Sequence, residues 1–206
     1  MDNVTAIIVS YNTPDLLRAC VESIRKFYPA LKIIIIDGSP PDSDCWIYCH
    51  KLMQEPNTLV KCVEYNIGHG NGVKMGISMC ETEYFLLVDS DVEILSPILE
   101  DMLIPFKKGD CYGVGEIISV DENGNNGGNI LYLHPHFALI NKEKYLKHSP
   151  IMNHGAPMLN AMKSISNVYD CGLAFCPDFK NRYVHHERGT RKLNPKEFNP
   201  VNWDKV

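Results

Sequence analysis

Mostly apolar runs alternate with amphipathic stretches through about the first 110 residues of the chain. The most apolar runs are 4–11, 32–37 and 84–88, and each predicts a strand that is buried on both faces. Between the first two runs, apolar residues recur at helical spacing, and Thr13 followed by Pro14 predicts the start of that helix. This strand–helix–strand order predicts parallel strands joined by right-handed crossovers.

The pattern becomes less regular after about residue 109, but it still alternates between strands and helices. Further elements are predicted as helices at 42–55, 71–80, 141–148 and 155–168 and from Ser96, as strands at 59–65, 114–120, 130–140 and 173–176, and as a polar loop at 121–129. We therefore predict an α/β fold with a mostly parallel central sheet and helices on both faces. The length of 206 residues favours one domain.

Two aspartates, Asp89 and Asp91, follow the apolar run at 84–88, with Ser90 between them. In parallel sheets, ligands bind beyond the carboxyl ends of the strands. Carboxylates are costly there unless a positive group pairs with them. A divalent cation that holds a diphosphate would be such a partner, and the alternative is a solvated turn. Haloacid-dehalogenase-type phosphatases also carry Asp-x-Asp, but after their first strand, which here ends in Ser10-Tyr11-Asn12.

Two other strand ends carry weaker signals. Asp37 ends the second strand, where an acid often bonds a ribose or a base edge, although Asp-Gly-Ser is also typical of a turn. The segment 66–74 is rich in glycine before a helix, which permits close approach of the backbone to phosphates. Val73 breaks the dinucleotide-binding fingerprint and Met75 breaks the Walker pattern. The alternative for this segment is a tight loop entering a helix.

Histidines near the C-terminus supply possible metal ligands. His185 and His186 are adjacent, and a strand would point them to opposite faces, so only one should bind a metal. Taken alone, a histidine of this kind is more often structural. We assign His134, His136 and His154 to packing or hydrogen bonding.

Composition narrows the possible partners and compartments. The net charge is -5, which argues against nucleic acid or an anionic membrane as a partner. The eight cysteines contain no C-x-x-C, and Cys45/Cys49 is the only close pair, so the spacing favours neither a zinc site nor disulfides. The first residues lack the pattern of a signal peptide, and no apolar stretch reaches membrane-spanning length. We expect a protein that is cytoplasmic, either free or peripheral to the membrane, with mostly free, buried thiols.

Four segments together resemble the inverting nucleotide-sugar glycosyltransferases of the GT-A fold (glycosyltransferase family 2-like). They are Thr5 to Asn12 with the helix that follows, Ile34 to Ser39, Asn66 to Gly72, and Tyr84 to Asp91. The resemblance covers residues 4–95 well, is weak over 96–150 and returns faintly over 155–190. It implies a single GT-A-like domain, with a nucleotide-binding half at about 1–110, an acceptor half at about 111–190 and a tail at 191–206.

The resemblance also implies roles for individual residues. Asp91 would bind Mg²⁺ or Mn²⁺, with Asp89 nearby and His186 as the C-terminal metal ligand; His185 is the alternative. The remaining positions would contact the nucleotide or the donor sugar, with Asp89 also placed to bond the ribose or a metal-bound water: Ser10, Tyr11, Asn12, Asp37, Gly68, Asn71, Lys74, Asp89 and Ser90.

The implied reaction moves a sugar from a nucleoside-diphosphate donor, with a UDP-sugar as the commonest case, to a hydroxyl of a glycan or lipid-linked glycan, as in polysaccharide biosynthesis. Inversion would follow from one in-line displacement, assisted by a metal, with a base that removes the acceptor proton. Relatives carry an acidic pair where this chain has 153–157, so the base is open among Asp178, Glu187 and His154.

Two other functions stay open. One is a nucleotide-sugar or glycan-binding module that has lost its catalytic base. The other is a sugar nucleotidyltransferase, which is disfavoured because that class carries a glycine-rich, basic loop after its first strand. The sequence leaves the oligomeric state open.

Overall fold

The computed structural model describes residues 2–109, 111–151, 156–166, 173–174, 181–186 and 192–193. Its strands are β1 (Val4–Ser10), β2 (Lys32–Asp37), β3 (Thr58–Cys62), β4 (Tyr84–Asp89), β5 (Val92–Ile94), β6 (Gly113–Val120), β7 (Ile130–Asn141), β8 (Leu173–Ala174) and β9 (Tyr183–His185). Its helices are α1 (Pro14–Phe27), α2 (Asp44–Leu52), α3 (His69–Met79), α4 (Leu99–Lys108), α5 (Lys142–Leu146) and α6 (Leu159–Ser166).

Within the described residues, seven strands form the main sheet in the order β3-β2-β1-β4-β7-β6-β8. The pairs β3–β2, β2–β1, β1–β4 and β6–β8 are parallel, whereas β7 runs antiparallel to both of its neighbours. The parallel part follows from the helical crossovers α1, α2 and α3, which return the chain to the same end of the sheet. The predicted α/β architecture with a mostly parallel sheet is confirmed.

Apolar side chains on the two faces of the sheet form two separate cores. The first packs α1, α2 and α4 against one face and contains Leu17, Tyr48, Leu86 and Met102. The second packs α3, α5 and α6 against the other face and contains side chains such as Phe85. Because strands β1, β2 and β4 are covered on both sides, their central residues are almost all apolar, as the sequence pattern predicts.

Helix α3 packs unusually closely on β1, and two glycines permit this. A Cβ atom at Gly72 would lie 2.7 Å from Cγ1 of Val9, and one at Gly76 would collide with Cγ2 of Ile7. Any larger side chain would push the helix away from the sheet. The glycines of this segment therefore fix the position of α3, whose N-terminus follows the glycine-rich loop.

Some predicted details differ from the structure. Helix α1 begins at Pro14 after Thr13, as predicted, but the Thr13 side chain makes no capping hydrogen bond. Strands β5 and β9, which form a separate two-stranded antiparallel sheet, were not predicted because each has only three residues. Predicted helix ends differ by up to four residues, a consequence of turns that the 3.6-residue period does not locate. In the described part of the chain, every helix is too short or too polar to cross a bilayer.

Candidate functional site

Polar side chains from three parallel strands meet at one edge of the main sheet. The register pairs Ser10 of β1 with Asp37 of β2, and Val9 of β1 with Asp89 of β4. Each acid therefore stands at the carboxyl end of a central strand, where open α/β sheets bind their ligands.

Asp89, Asp91 and His185 form one group of potential metal ligands at this edge. One ligand atom from each residue lies within 4.8 Å of those of the other two. Oδ1 of Asp91 is 3.4 Å from Nε2 of His185. Asp91 is only 7% exposed, so its carboxylate is largely removed from water. Two carboxylates and an imidazole are ligands that hard and borderline divalent cations accept.

The two-stranded sheet of β5 and β9 delivers His185 to the carboxylates. Val92, directly after Asp91, pairs with His185, and the backbone N–H of His186 donates to the carbonyl of Asp91 over 2.8 Å. These contacts tie a segment about ninety residues further along the chain to the Asp-x-Asp turn. The three-residue strands β5 and β9 therefore position His185 beside the carboxylates.

His186, named first from the sequence as the metal ligand, points elsewhere. Its Nε2 lies 2.7 Å from Oε1 of Glu93, and its side chain is exposed. Side chains alternate along a strand, so the adjacent His185 faces Asp91. The structure therefore brings together Asp89, Asp91 and the alternative histidine.

His69 contacts the remaining acid of the group, and sequence reasoning did not single it out. Its Nε2 lies 3.0 Å from Oδ1 of Asp89. Burial works to raise the pKa of Asp89, but the charge of His69 and its hydrogen bond outweigh burial and hold the pKa well below the usual range. Burial works to lower the pKa of His69, and Asp89 reverses this to a net rise. The only sequence signal was the place of His69 inside the glycine-rich loop.

Two histidines of β7 extend the site beyond the carboxylates. The ring of His136 stacks on that of His185, with centroids 4.5 Å apart and planes 3° from parallel. His136 also meets Nδ1 of His134 at 2.5 Å and the hydroxyl of Tyr183 at 2.7 Å. Burial, reinforced by the charge of His134, lowers the pKa of His136 to about 3. The ring is therefore neutral near pH 7 and supports His185 through stacking and hydrogen bonds.

Glu116 approaches the same histidine from β6. Its Oε2 lies 3.7 Å from Nε2 of His136, at the irregularity between Gly115 and Ile117 where the β6–β7 register shifts. Such bulges re-aim side chains and are common beside functional sites. The extra residues lie on β7, because Gly115 pairs with Ala138 and Ile117 pairs with Leu133, so the alternation of residues along β6 does not reveal the irregularity.

The predicted nucleotide contacts at β1 and β2 form a connected group. Ser39 donates its hydroxyl to Oδ1 of Asp37 over 2.7 Å, and the backbone N–H of Asn12 donates to Oγ of Ser39 over 2.9 Å. Ser10 is 2% exposed and Asp37 is fully buried. Tyr11 is partly exposed at the start of the connection to α1. Burial raises the pKa of Asp37, against the hydrogen bonds it receives.

The glycine-rich segment makes a tight turn immediately before α3. Gly68 has φ 78°, a left-handed conformation that favours glycine, and its N–H donates to Oδ1 of Asn66 over 2.9 Å. Asn71 and Lys74 are exposed on the first turns of α3. Ser90, between the two aspartates, is buried. The three residues named as possible bases, Asp178, Glu187 and His154, lie outside the described residues.

The family model described as "Glycosyl transferase family 2" matches residues 5–168. Among curated proteins, "Glycosyltransferase GlyG" of Streptococcus pneumoniae serotype 4 is 29% identical over 125 residues, which are 60% of this chain and 42% of that protein. A teichoic acid poly(glycerol phosphate) polymerase of Staphylococcus epidermidis is 29% identical over 118 residues, 53% of this chain and 16% of that protein. The chain therefore spans less than half the length of either protein.

Solved structures share the fold at low sequence identity. TarS 1-349 of S. aureus aligns with a TM-score of 0.65 and 17% identity, over 93% of this chain and 63% of that one. The same fragment in complex with UDP-GlcNAc gives a TM-score of 0.64. The mannosyltransferase PcManGT of Pyrobaculum calidifontis, in complex with GDP-Man and Mn2+, gives 0.61 at 14% identity, over 86% of this chain and 55% of that one. These are glycosyltransferases of the GT-A fold, so the fold expected from the sequence is confirmed.

Proposed function

Because the chain belongs to glycosyl transferase family 2, we propose that it transfers a sugar from a nucleoside-diphosphate donor to a hydroxyl acceptor with metal assistance. The observation that supports this most is the group of Asp89, Asp91 and His185 at the carboxyl edge of the central sheet. Fold alone would not justify an activity. A partly buried set of potential metal ligands at the carboxyl ends of the central strands gives the proposal its chemistry.

We propose that Asp91 and His185 ligate Mn²⁺ or Mg²⁺, with Asp89 as a third ligand or as a contact to the ribose or a metal-bound water. The mixed oxygen and nitrogen donors fit such an ion. A bound divalent cation would neutralise the charge that develops on the departing diphosphate. Asp89 is ready for this role because His69 keeps it ionised, and His136 orients the ring of His185 by stacking.

On the nucleotide side, the segment from Ser10 to Asn12 and the carboxylate of Asp37 would contact the base or ribose. Gly68, Asn71, Lys74 and Ser90 would contact the phosphates or the donor sugar. A UDP-sugar is the first donor to test, since one structural neighbour was solved with UDP-GlcNAc; GDP-Man, bound by another, is the second. We propose a glycan or lipid-linked glycan as acceptor, and a cytoplasmic location or one peripheral to the membrane.

Inversion requires one in-line attack by the acceptor hydroxyl on the anomeric carbon. A positioned base takes the hydroxyl proton as the new bond forms and the bond to the diphosphate breaks. Asp178, Glu187 and His154 remain the proposed candidates for this base. Alanine variants of each, assayed for turnover and for donor binding, separate them, because loss of the base lowers turnover and leaves donor binding intact.

The test is release of nucleoside diphosphate from a panel of nucleotide sugars, with and without Mn²⁺. We expect metal-dependent release of nucleoside diphosphate from at least one donor. The rate of this release should fall by at least about 100-fold in Asp91→Asn. Glu143→Gln is the matched control, because Glu143 is an exposed acid whose ion pair among the described residues is the surface pair with Lys147; the variant should keep full activity.

The other outcomes of this assay separate the alternatives. Binding of a nucleotide sugar without turnover would favour a binding module. Cleavage that depends on added pyrophosphate would favour a sugar nucleotidyltransferase. Release of nucleoside diphosphate that needs no metal and is unchanged in Asp91→Asn would contradict the proposed role of Asp89, Asp91 and His185, the carboxylate–histidine group.

A further inference from the structure

A second group of potential metal ligands lies on the nucleotide side of the sheet, apart from the Asp-x-Asp turn. It consists of Asp37 at the end of β2 and of Cys45 and Cys49 on α2. One ligand atom from each residue lies within 4.8 Å of those of the other two, and all three residues are buried. We propose that, in the absence of a nucleotide, Asp37, Cys45 and Cys49 bind a thiophilic divalent cation, Zn²⁺ in the first instance; this cation and the proposed nucleotide contact of Asp37 would exclude each other.

The cysteine spacing alone does not predict a metal site, but the fold brings two cysteines and an acid together. Residues four apart on a helix lie on one face, so Cys45 and Cys49 of α2 present both sulfurs in the same direction. A single close pair of cysteines is weak evidence for zinc. Here α2 packs so that this face meets the end of β2, and Asp37 provides a third ligand from a separate element.

The carboxylate of Asp37 is incompletely satisfied by the protein. Its Oδ1 accepts from the hydroxyl of Ser39 at 2.7 Å and from the thiol of Cys45 at 3.5 Å. Its Oδ2 is buried and has no hydrogen-bond partner among the described residues. None of the salt bridges formed within the described ranges includes Asp37. A buried carboxylate oxygen without a donor is costly, and a cation between it and the two sulfurs would remove that cost.

The ligand chemistry selects the type of ion. Thiolates prefer soft or borderline cations such as Zn²⁺, whereas Mg²⁺ and Ca²⁺ prefer oxygen ligands. The hydroxyl of Ser10, 3.2 Å from Sγ of Cys45, can complete a four-ligand site directly or through a water.

The ordinary alternative is that both cysteines are packing residues, as buried free thiols usually are. Cys20 and Cys80 show that pattern in this chain: both are buried and donate to backbone carbonyls, at Asp89 and Thr82. The pair at 45 and 49 differs because an acid with an unpartnered oxygen faces it. Binding converts both thiols to thiolates, and their two protons pass to solvent.

The first experiment is a titration of the reduced, metal-free protein with Co²⁺, followed by absorption. A thiolate-to-cobalt charge-transfer band should appear and saturate at about one ion per chain. Cys45→Ser and Cys49→Ser should abolish the band. Cys80→Ser, a buried cysteine on the opposite face of the sheet, should retain it, and so should Asp91→Asn, whose site offers no sulfur.

Proton release during Zn²⁺ titration tests the same site without altering the cysteines. Measured on Asp91→Asn in weak buffer with a pH indicator, it should give about two protons per Zn²⁺. Absence of the charge-transfer band in the unsubstituted protein, its persistence in both cysteine variants, or release of no protons would each overturn the proposal. Neither readout depends on glycosyl transfer. The zinc proposal can therefore be refuted while the proposed activity holds, and the proposed activity can be refuted while the zinc proposal holds.

Discussion

At the scale of single residues, the site depends on how acids and histidines are paired. Asp91 faces His185 and Asp89 faces His69, so each carboxylate has its own imidazole. The pairing with His69 keeps Asp89 ionised at neutral pH despite its partial burial. The arrangement leaves two carboxylates close together where a cation can bind.

The choice between adjacent histidines gives a direct prediction at this scale. His185→Ala should weaken Mn²⁺ binding by at least about tenfold, because it removes a proposed ligand. His186→Ala should change it little, since His186 contacts Glu93 on the surface. Calorimetric titration of Mn²⁺ into both variants in the presence of UDP measures the difference. A larger loss in His186→Ala would contradict the assignment.

The His69–Asp89 pair predicts a pH dependence of stability in the metal-free protein. Folding raises the pKa of His69 and lowers that of Asp89. The pair therefore stabilises fully between the ordinary values of about 3.9 and about 6.5. Its contribution fades as pH rises through the raised pKa of His69, and also as pH falls through the lowered pKa of Asp89.

Denaturant unfolding of the unsubstituted protein and of Asp89→Asn, compared across pH, measures this contribution. We expect the difference in unfolding free energy to be largest near pH 5 to 6 and to shrink above the pKa of His69. Glu143→Gln is the control, because its surface pair involves no histidine. A difference that grows with rising pH would contradict the account.

At the scale of elements, the long strands of the main sheet position the acids of the site, and a short strand positions the histidine. The sheet aligns the acids of β2 and β4 through the parallel register, but the histidine arrives on β9, a strand of three residues. Helix α3 is held against β1 by glycines, which brings His69 to Asp89. The contact of His185 thus depends on a pairing between elements distant in sequence, and the contact of His69 depends on how the consecutive elements α3 and β4 pack.

The packing of α3 on β1 predicts a large effect of added bulk. Gly76→Val should lower the free energy of unfolding by about 1–3 kcal/mol or more, because its side chain would overlap Ile7. Ser78→Ala, on the exposed face of the same helix, should change stability by no more than about 0.5 kcal/mol. Chemical denaturation of both variants provides the comparison. Equal stabilities would show that α3 does not depend on this close approach.

The sequence predicted the parts of the molecule that local pattern encodes. The long apolar strands and the amphipathic α1 follow from periodicity, and the acids at the ends of β2 and β4 follow from strand position. The choice of His185 could not be predicted, because it depends on the register between β5 and β9. Nor could the approach of Asp37 to Cys45 and Cys49, since it arises from how α2 packs beside β2.

At the scale of the whole molecule, the carboxyl ends of β2 and β4, the two strands that flank β1, carry two groups of potential ligands. The carboxylate–histidine group follows β4, and the carboxylate–thiol group follows β2. Their chemistries differ, since the first offers oxygen and nitrogen and the second offers sulfur. The chain can therefore distinguish two kinds of cation, and we expect Mn²⁺ and Zn²⁺ to occupy different positions at these strand ends.

The most direct measurement is a crystal structure of the protein grown with Mn²⁺ and UDP, with data collected where manganese scatters anomalously. The account predicts one anomalous peak within bonding distance of Asp91 and His185, bridged to the diphosphate of UDP. A saturated crystal in which manganese and nucleotide leave these two side chains unoccupied, or bind elsewhere on the chain, would contradict it.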